Sequence, residues 1–217
     1  AAARGLGKGD GRIADGRPEF VIASCEASLK RLKTDYIDLY YQHRIDPQVP
    51  IEETVGAMAK LVEQGKVRAL GLCEVNPSTL HRAHSVHPIS SVQSEYSIMY
   101  REQAEEILPV MRELGVSFVP YAPLGRGLLT GAVNASSLRE GDERLRHPRF
   151  AADNLQHNLA LVRNLEEVAK RHACSAGQVA LAWLLMQGDD IIPIPGTKTL
   201  SRMIENTDAA KIDLTAE

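Results

Sequence analysis

Apolar positions along the chain follow two alternating rhythms. Phe20, Val21, Ala23, Leu29 and Leu32 recur at helical spacing. Lys30, Arg31 and Lys33 follow where cations suit the negative end of a helix dipole, so a helix is predicted from Glu19. Next comes Tyr36-Ile37-Asp38-Leu39-Tyr40-Tyr41, a run too short for a helix and rich in strand formers, which ends at Gln42-His43. A proline-bearing loop from Asp46 to Pro50 leads into a predicted helix over 52–65, closed by Gly65.

The alternation then repeats. Strands are predicted over Val67–Leu72, Ile89–Gln93, Val116–Tyr121 and Ile191–Pro195. Helices are predicted after Asn76-Pro77, where proline suits the first turn, and over 102–114, 158–171, 175–187 and 200–210. Ser175 is a good N-cap for the helix that follows it. Two stretches break the rhythm. Residues 4–18 carry five glycines and a proline and read as an irregular loop. Residues 124–157 form an excursion without a clear period, too long for a plain connector.

Strands alternating with helices imply βαβ units and a parallel sheet. A doubly wound nucleotide fold needs a glycine-rich turn between a strand and a helix. Gly5-Leu6-Gly7-Lys8-Gly9 follows no predicted strand and opens no helix. The alternative is an α/β fold of the (β/α)8 TIM-barrel type, whose function gathers at the carboxyl ends of its strands. His43, Cys73 with Glu74, Gln93, Tyr121, and Gly196 with Thr197 stand at such ends. The five predicted strands are fewer than a barrel's eight. The chain is therefore expected to enter a barrel partway, as one incomplete domain over 1–217.

Charge and composition narrow the function. Lys and Arg number 25 against 28 Asp and Glu, a net charge of −3 with no basic block, which argues against a nucleic-acid surface. No apolar run approaches the roughly 18 residues of a membrane helix. The opening AAARGLGKGDG lacks the apolar centre of a secretory leader. Cys25, Cys73 and Cys174 lie far apart without metal-ligand spacing and read as reduced thiols of a cytoplasmic protein. His81, His84 and His87 are spaced by three, but Pro88 interrupts them and no carboxylate or cysteine completes a metal set. They read as a solvated helix end. Trp183 reads as core, and Cys73 as a passive thiol with no cation beside it in sequence.

The text "DYIDLYYQHRID" resembles the aldo-keto reductase family, whose barrel strand ends in a catalytic His. The likeness covers roughly 17–212 and includes "PIEETVGAMAKLVEQGKVRALGL", "SVQSEYS", "VPYAPLGRGLLTG" and "IIPIPGTKTLSRMIENTDAA". It implies NADPH-dependent reduction of a small aldehyde or ketone, with His43 orienting the carbonyl oxygen. By the same resemblance, Tyr121 stacks on the nicotinamide and Gln93 holds its carboxamide. Cys73-Glu74 replaces a Ser-Asn pair that often shares that contact. Ala122, Leu124 and Arg126 belong to the loop that wraps the pyrophosphate through backbone N–H groups. Gly196, Thr197 and Lys198 lead into a helix whose Arg202 contacts the 2′-phosphate, while Glu205 and Asn206 hold the adenine. The family's Tyr acid and Asp fall upstream of residue 1 and its Lys near Ala3, and Lys8 is not assigned that role. The resemblance thus also admits a truncated, inactive barrel that binds a nucleotide or a partner.

Overall fold

The structure is a computed structural model that describes residues 2–3 and 14–214. The glycine-rich stretch 4–13, Lys8 included, lies outside the described residues. Five strands are present: β1 (Ala2–Ala3), β2 (Ile37–Gln42), β3 (Val67–Cys73), β4 (Ile89–Glu95) and β5 (Ser117–Tyr121). They form one sheet in chain order, and the β1–β2, β2–β3 and β3–β4 pairs are parallel. The helices are α1 (Pro18–Leu32), α2 (Ile51–Glu63), α3 (Pro77–Val86), α4 (Glu102–Glu113), α5 (Ala152–Arg171), α6 (Ala176–Leu185) and α7 (Leu200–Asp208). Among the described residues, no helix is long and apolar enough to cross a membrane. Cys25, Cys73 and Cys174 carry free thiols.

The chain divides into two compact units. One runs through Ser94 and takes in Glu102–Val119; the other holds Glu95–Arg101 and the chain from Pro120 onward.

In the first unit the predicted rhythm holds closely. The apolar stripe of α1 buries Val21, Cys25 and Leu29, and that of α2 buries Ile51, Val55, Met58 and Leu61. Each such side chain contributes about 1.5–3 kcal/mol on leaving water. Tyr40 buries its ring beneath α1 and donates its hydroxyl to the Val21 carbonyl at 3.1 Å. The Asn76 side chain caps α3 by accepting from the Thr79 N–H at 2.8 Å. Tyr41 turns to the other face of β2. Its ring crosses Gly71, and its hydroxyl meets that of Ser91 at 2.7 Å. His84 accepts the Ile89 N–H at 3.3 Å through Nδ1, so it joins the end of α3 to the start of β4.

The second unit corrects three expectations. Ile191–Pro195 is no ladder strand, and only Ile191 makes a bridge. Pro193 and Pro195 lack the N–H a ladder needs, which leaves Ile194 to donate to the Pro120 carbonyl at 3.0 Å. The excursion is not irregular throughout. It holds 3₁₀ turns at Gly125–Thr130, Ala135–Ser137, Glu143–Arg146 and Pro148–Phe150, and α5 begins at Ala152 rather than 158. A separate apolar cluster of Leu128, Val133, Phe150, Leu155 and Val162 draws these turns together. Trp183 is half-buried rather than core. Its ring meets Tyr96 edge-on at 5.5 Å and lies under the Arg101 guanidinium at 5.4 Å. Around it α6 is buried on most sides, and Ser175 with Gln178 forms a capping box at its start.

Candidate functional site

In the first unit the site residues follow from strand register. Tyr41 pairs with Gly71 and Gly71 with Ser91, so these three share one face of β2, β3 and β4. One step of the same alternation further toward the carboxyl ends, Cys73 stands directly opposite Gln93. His43 follows the last residue of β2 and is half-buried. The turn that carries it is fixed from both sides. Gln42 Nε2 donates to the Arg44 carbonyl at 2.7 Å, and Arg44 Nη1 donates to the His43 carbonyl at 3.1 Å. Arg44 Nη1 also lies 3.2 Å from Cys73 Sγ.

Cys73 has no cation beside it in sequence, but Arg44 reaches it from a different strand end. The passive reading stands for another reason. Burial pushes the thiol up to about 11, outweighing the opposing pull of Arg44. After Cys73 the chain turns sharply, with Glu74 at φ 56° and its N–H donating to the Gln93 carbonyl at 2.9 Å. Tyr41 titrates above its ordinary value, chiefly because it is buried.

The second unit contains a cleft of about 800 Å³. Nine residues singled out from the sequence line it: Tyr121, Ala122, Leu124, Arg126, Gly196, Thr197, Arg202, Glu205 and Asn206. Lys198, exposed on the same loop, is not one of its walls. One wall is the turn after β5. Ala122 (φ 47°), Gly125 (φ 57°), Arg126 (φ 60°) and Gly127 (φ 92°) are all left-handed there. For Ala and Arg that conformation costs on the order of 1–2 kcal/mol each, and such strain gathers at functional sites. Gly125 and Gly127 donate back to the Ala122 and Leu124 carbonyls at 2.9 and 3.0 Å, which holds the turn tight.

The opposite wall is the amino end of α7. Thr199 caps it without a side-chain bond, and Arg202 projects from its first turn. Among the described residues Arg202 has no acidic partner. Glu205 is tethered: its carboxylate accepts the Ser175 hydroxyl, and its carbonyl accepts Gln178 Nε2 at 3.0 Å. The capping box of α6 therefore also fixes α7.

Thr130, Val133, Ser137, Arg144 and Gly177 line the cleft as well, and the sequence did not single them out. All but Gly177 lie in the long excursion, whose length was the only signal. The Arg144 guanidinium chelates Asp142 at 2.6–3.1 Å and holds that carboxyl down at about 2.

Residues 6–217 match the Aldo/keto reductase family. The chain belongs to the aldo/keto reductase family. A curated relative from Glycine max, "Probable aldo-keto reductase 1", is 48% identical over 200 residues, which are 92% of this chain and 58% of that protein. A glycerol dehydrogenase from Gluconobacter oxydans superposes with a TM-score of 0.87 at 29% identity, over 97% of this chain and 65% of its own. A thermostable aldo-keto reductase, Tm1743, solved with the inhibitor epalrestat, gives 0.75 at 33% identity, over 92% and 64%. The chain thus spans about three-fifths of the length of these relatives. Its parallel sheet and flanking helices are of the (β/α)8 barrel fold of this oxidoreductase family.

Proposed function

We propose that the cleft holds NADPH and that the protein uses it to reduce small aldehydes or ketones. One observation carries this reading: nine residues chosen for cofactor contact from scattered motifs line a single cleft. Its size lies within the range of about 300–1,000 Å³ common for small-molecule sites. The chemistry of the walls also fits a dinucleotide phosphate. The Ala122–Arg126 turn offers the backbone N–H groups of Leu124 and Arg126 for a pyrophosphate, that of Gly125 being bonded within the turn. Arg202, at a helix amino end and without an acidic partner among the described residues, suits a dianionic 2′-phosphate and gives the preference for NADPH over NADH. Asn206, with its amide donors and acceptor, and the tethered Glu205 suit an adenine edge.

When bound, the reduced nicotinamide would supply the hydride for the carbonyl carbon, and water would supply the proton that converts the resulting alkoxide to the alcohol. Tyr121 provides a flat face for the ring at the end of β5. Gln93 and Cys73, as a cross-strand pair, take the carboxamide contact, and His43 donates a hydrogen bond to the carbonyl oxygen. These last three roles rest on motif position. Three free thiols suit a reducing, cytoplasmic setting.

A second reading, nucleotide binding without turnover, draws support from Tyr41. It is a tyrosine on the site face of the sheet, and its burial raises its pKa, the wrong direction for a proton donor.

The test is NADPH consumption with a panel of aldehydes and ketones. The proposal expects turnover that falls at least about tenfold in His43→Ala, while NADPH affinity stays within about twofold. NADPH binding without consumption supports the second reading. Absence of NADPH binding contradicts both.

A further inference from the structure

Glu95 is the last residue of β4, and only 9% of its side chain is exposed. Its two oxygens serve different partners. Oε1 accepts Arg149 Nη2 at 2.6 Å, and Oε2 faces Arg126 Nη2 at 3.9 Å. Arg126 is in the turn that forms one wall of the cleft. Arg149 closes the excursion whose Thr130, Val133, Ser137 and Arg144 line the same cleft.

Arg149 is committed to this position. Its side chain is 16% exposed, its guanidinium lies 5.6 Å from the Tyr100 ring centre, and its carbonyl accepts Asn158 Nδ2 at 3.0 Å. Its Nη1 is buried without a hydrogen-bond partner among the described residues. A guanidinium held this way depends on the carboxylate opposite, because removing one member of a buried pair leaves an uncompensated charge. The adjacent Phe150 belongs to the apolar cluster with Leu128 and Val133. The excursion is therefore fixed at its far end by two devices, one apolar and one ionic.

We propose that Glu95 is a positioning residue for the cleft: its carboxylate, paired with Arg149 and facing Arg126, holds both walls that the excursion supplies. Glu95 touches neither substrate nor nucleotide in this assignment. It acts through the two arginines. The proposal rests on the cleft being the NADPH site, and one of its two readouts is independent of that.

The experiment compares Glu95→Gln, Arg149→Gln and the double variant with the unaltered chain, after circular dichroism has shown each to be folded. Limited trypsin digestion without nucleotide reads the order of the excursion at Arg139, Arg144 and Arg146. Calorimetric titration reads NADPH affinity. Each single variant is expected to be nicked about tenfold faster and to bind NADPH about tenfold more weakly. The double variant is expected to be no worse than either single one, because the two residues act as a unit. If Glu95→Gln does not fold, Arg149→Lys, which keeps the charge and loses the planar fork, is expected to show the same two changes in milder form. Unchanged nicking in a folded variant overturns the proposal, as do additive single effects. Faster nicking with unaltered NADPH affinity also overturns it. If the unaltered chain binds no NADPH, the functional reading fails, while the digestion still decides whether the pair orders the excursion.

Discussion

Arg202 stands in the first turn of α7, on the wall of the cleft, and among the described residues no acid neutralises it. Its replacement by Ala should raise the NADPH dissociation constant about tenfold to a hundredfold, the value of a charged hydrogen bond worth roughly 1.5–3 kcal/mol. NADH, which has no 2′-phosphate, should be almost unaffected; paired titrations of the variant check both. Gly71 makes a different demand. A methyl group there would run into three carbons of the Tyr41 ring, so Gly71→Ala should destabilise the chain by about 1–3 kcal/mol, read from urea midpoints. Only the first of these roles could be foreseen. Arg202 belongs to a motif recognisable from sequence, whereas the Tyr41–Gly71 contact is a cross-strand pairing that only register reveals. The Arg44–Cys73 contact leaves no sequence signal for the same reason, since 29 positions separate two residues at neighbouring strand ends.

Among the elements, β2 to β5 and every helix were legible because apolar spacing and strand-forming side chains marked them locally. The failures have local causes too. Two prolines deprive Ile191–Pro195 of the bonds that its apolar side chains suggest. The first turns of α5 are polar in sequence and are held by Leu155 packing into a cluster assembled from the preceding excursion, which periodicity cannot register. Helix ends show a further gap. Lys33 (φ 55°) and Ala173 (φ 52°) close α1 and α5 in the left-handed conformation that favours glycine. Ala173 is exposed, and its N–H donates to the Lys170 carbonyl at 3.2 Å, so its backbone is committed. Ala173→Gly should therefore stabilise the chain by about 0.5–1 kcal/mol, and Lys33→Gly by a similar amount, seen as a rise in Tm of about 1–4 °C.

At the scale of the molecule, the family and the parallel sheet were readable from motifs in chain order, and nine cofactor candidates proved to share one cleft. The cleft's remaining walls were not readable. Thr130, Val133, Ser137 and Arg144 reach it through 3₁₀ turns held by Phe150 and by the Glu95–Arg149 pair, contacts with no periodic signature. The central claim is that this cleft is built for a phosphorylated dinucleotide, and calorimetric titration of the 217-residue chain with NADPH and, separately, NADH tests it most directly. Saturable binding of one NADPH per chain, at least about tenfold tighter than NADH, is the expected result. Equal affinity for the two nucleotides, or no saturable binding of either, would contradict it.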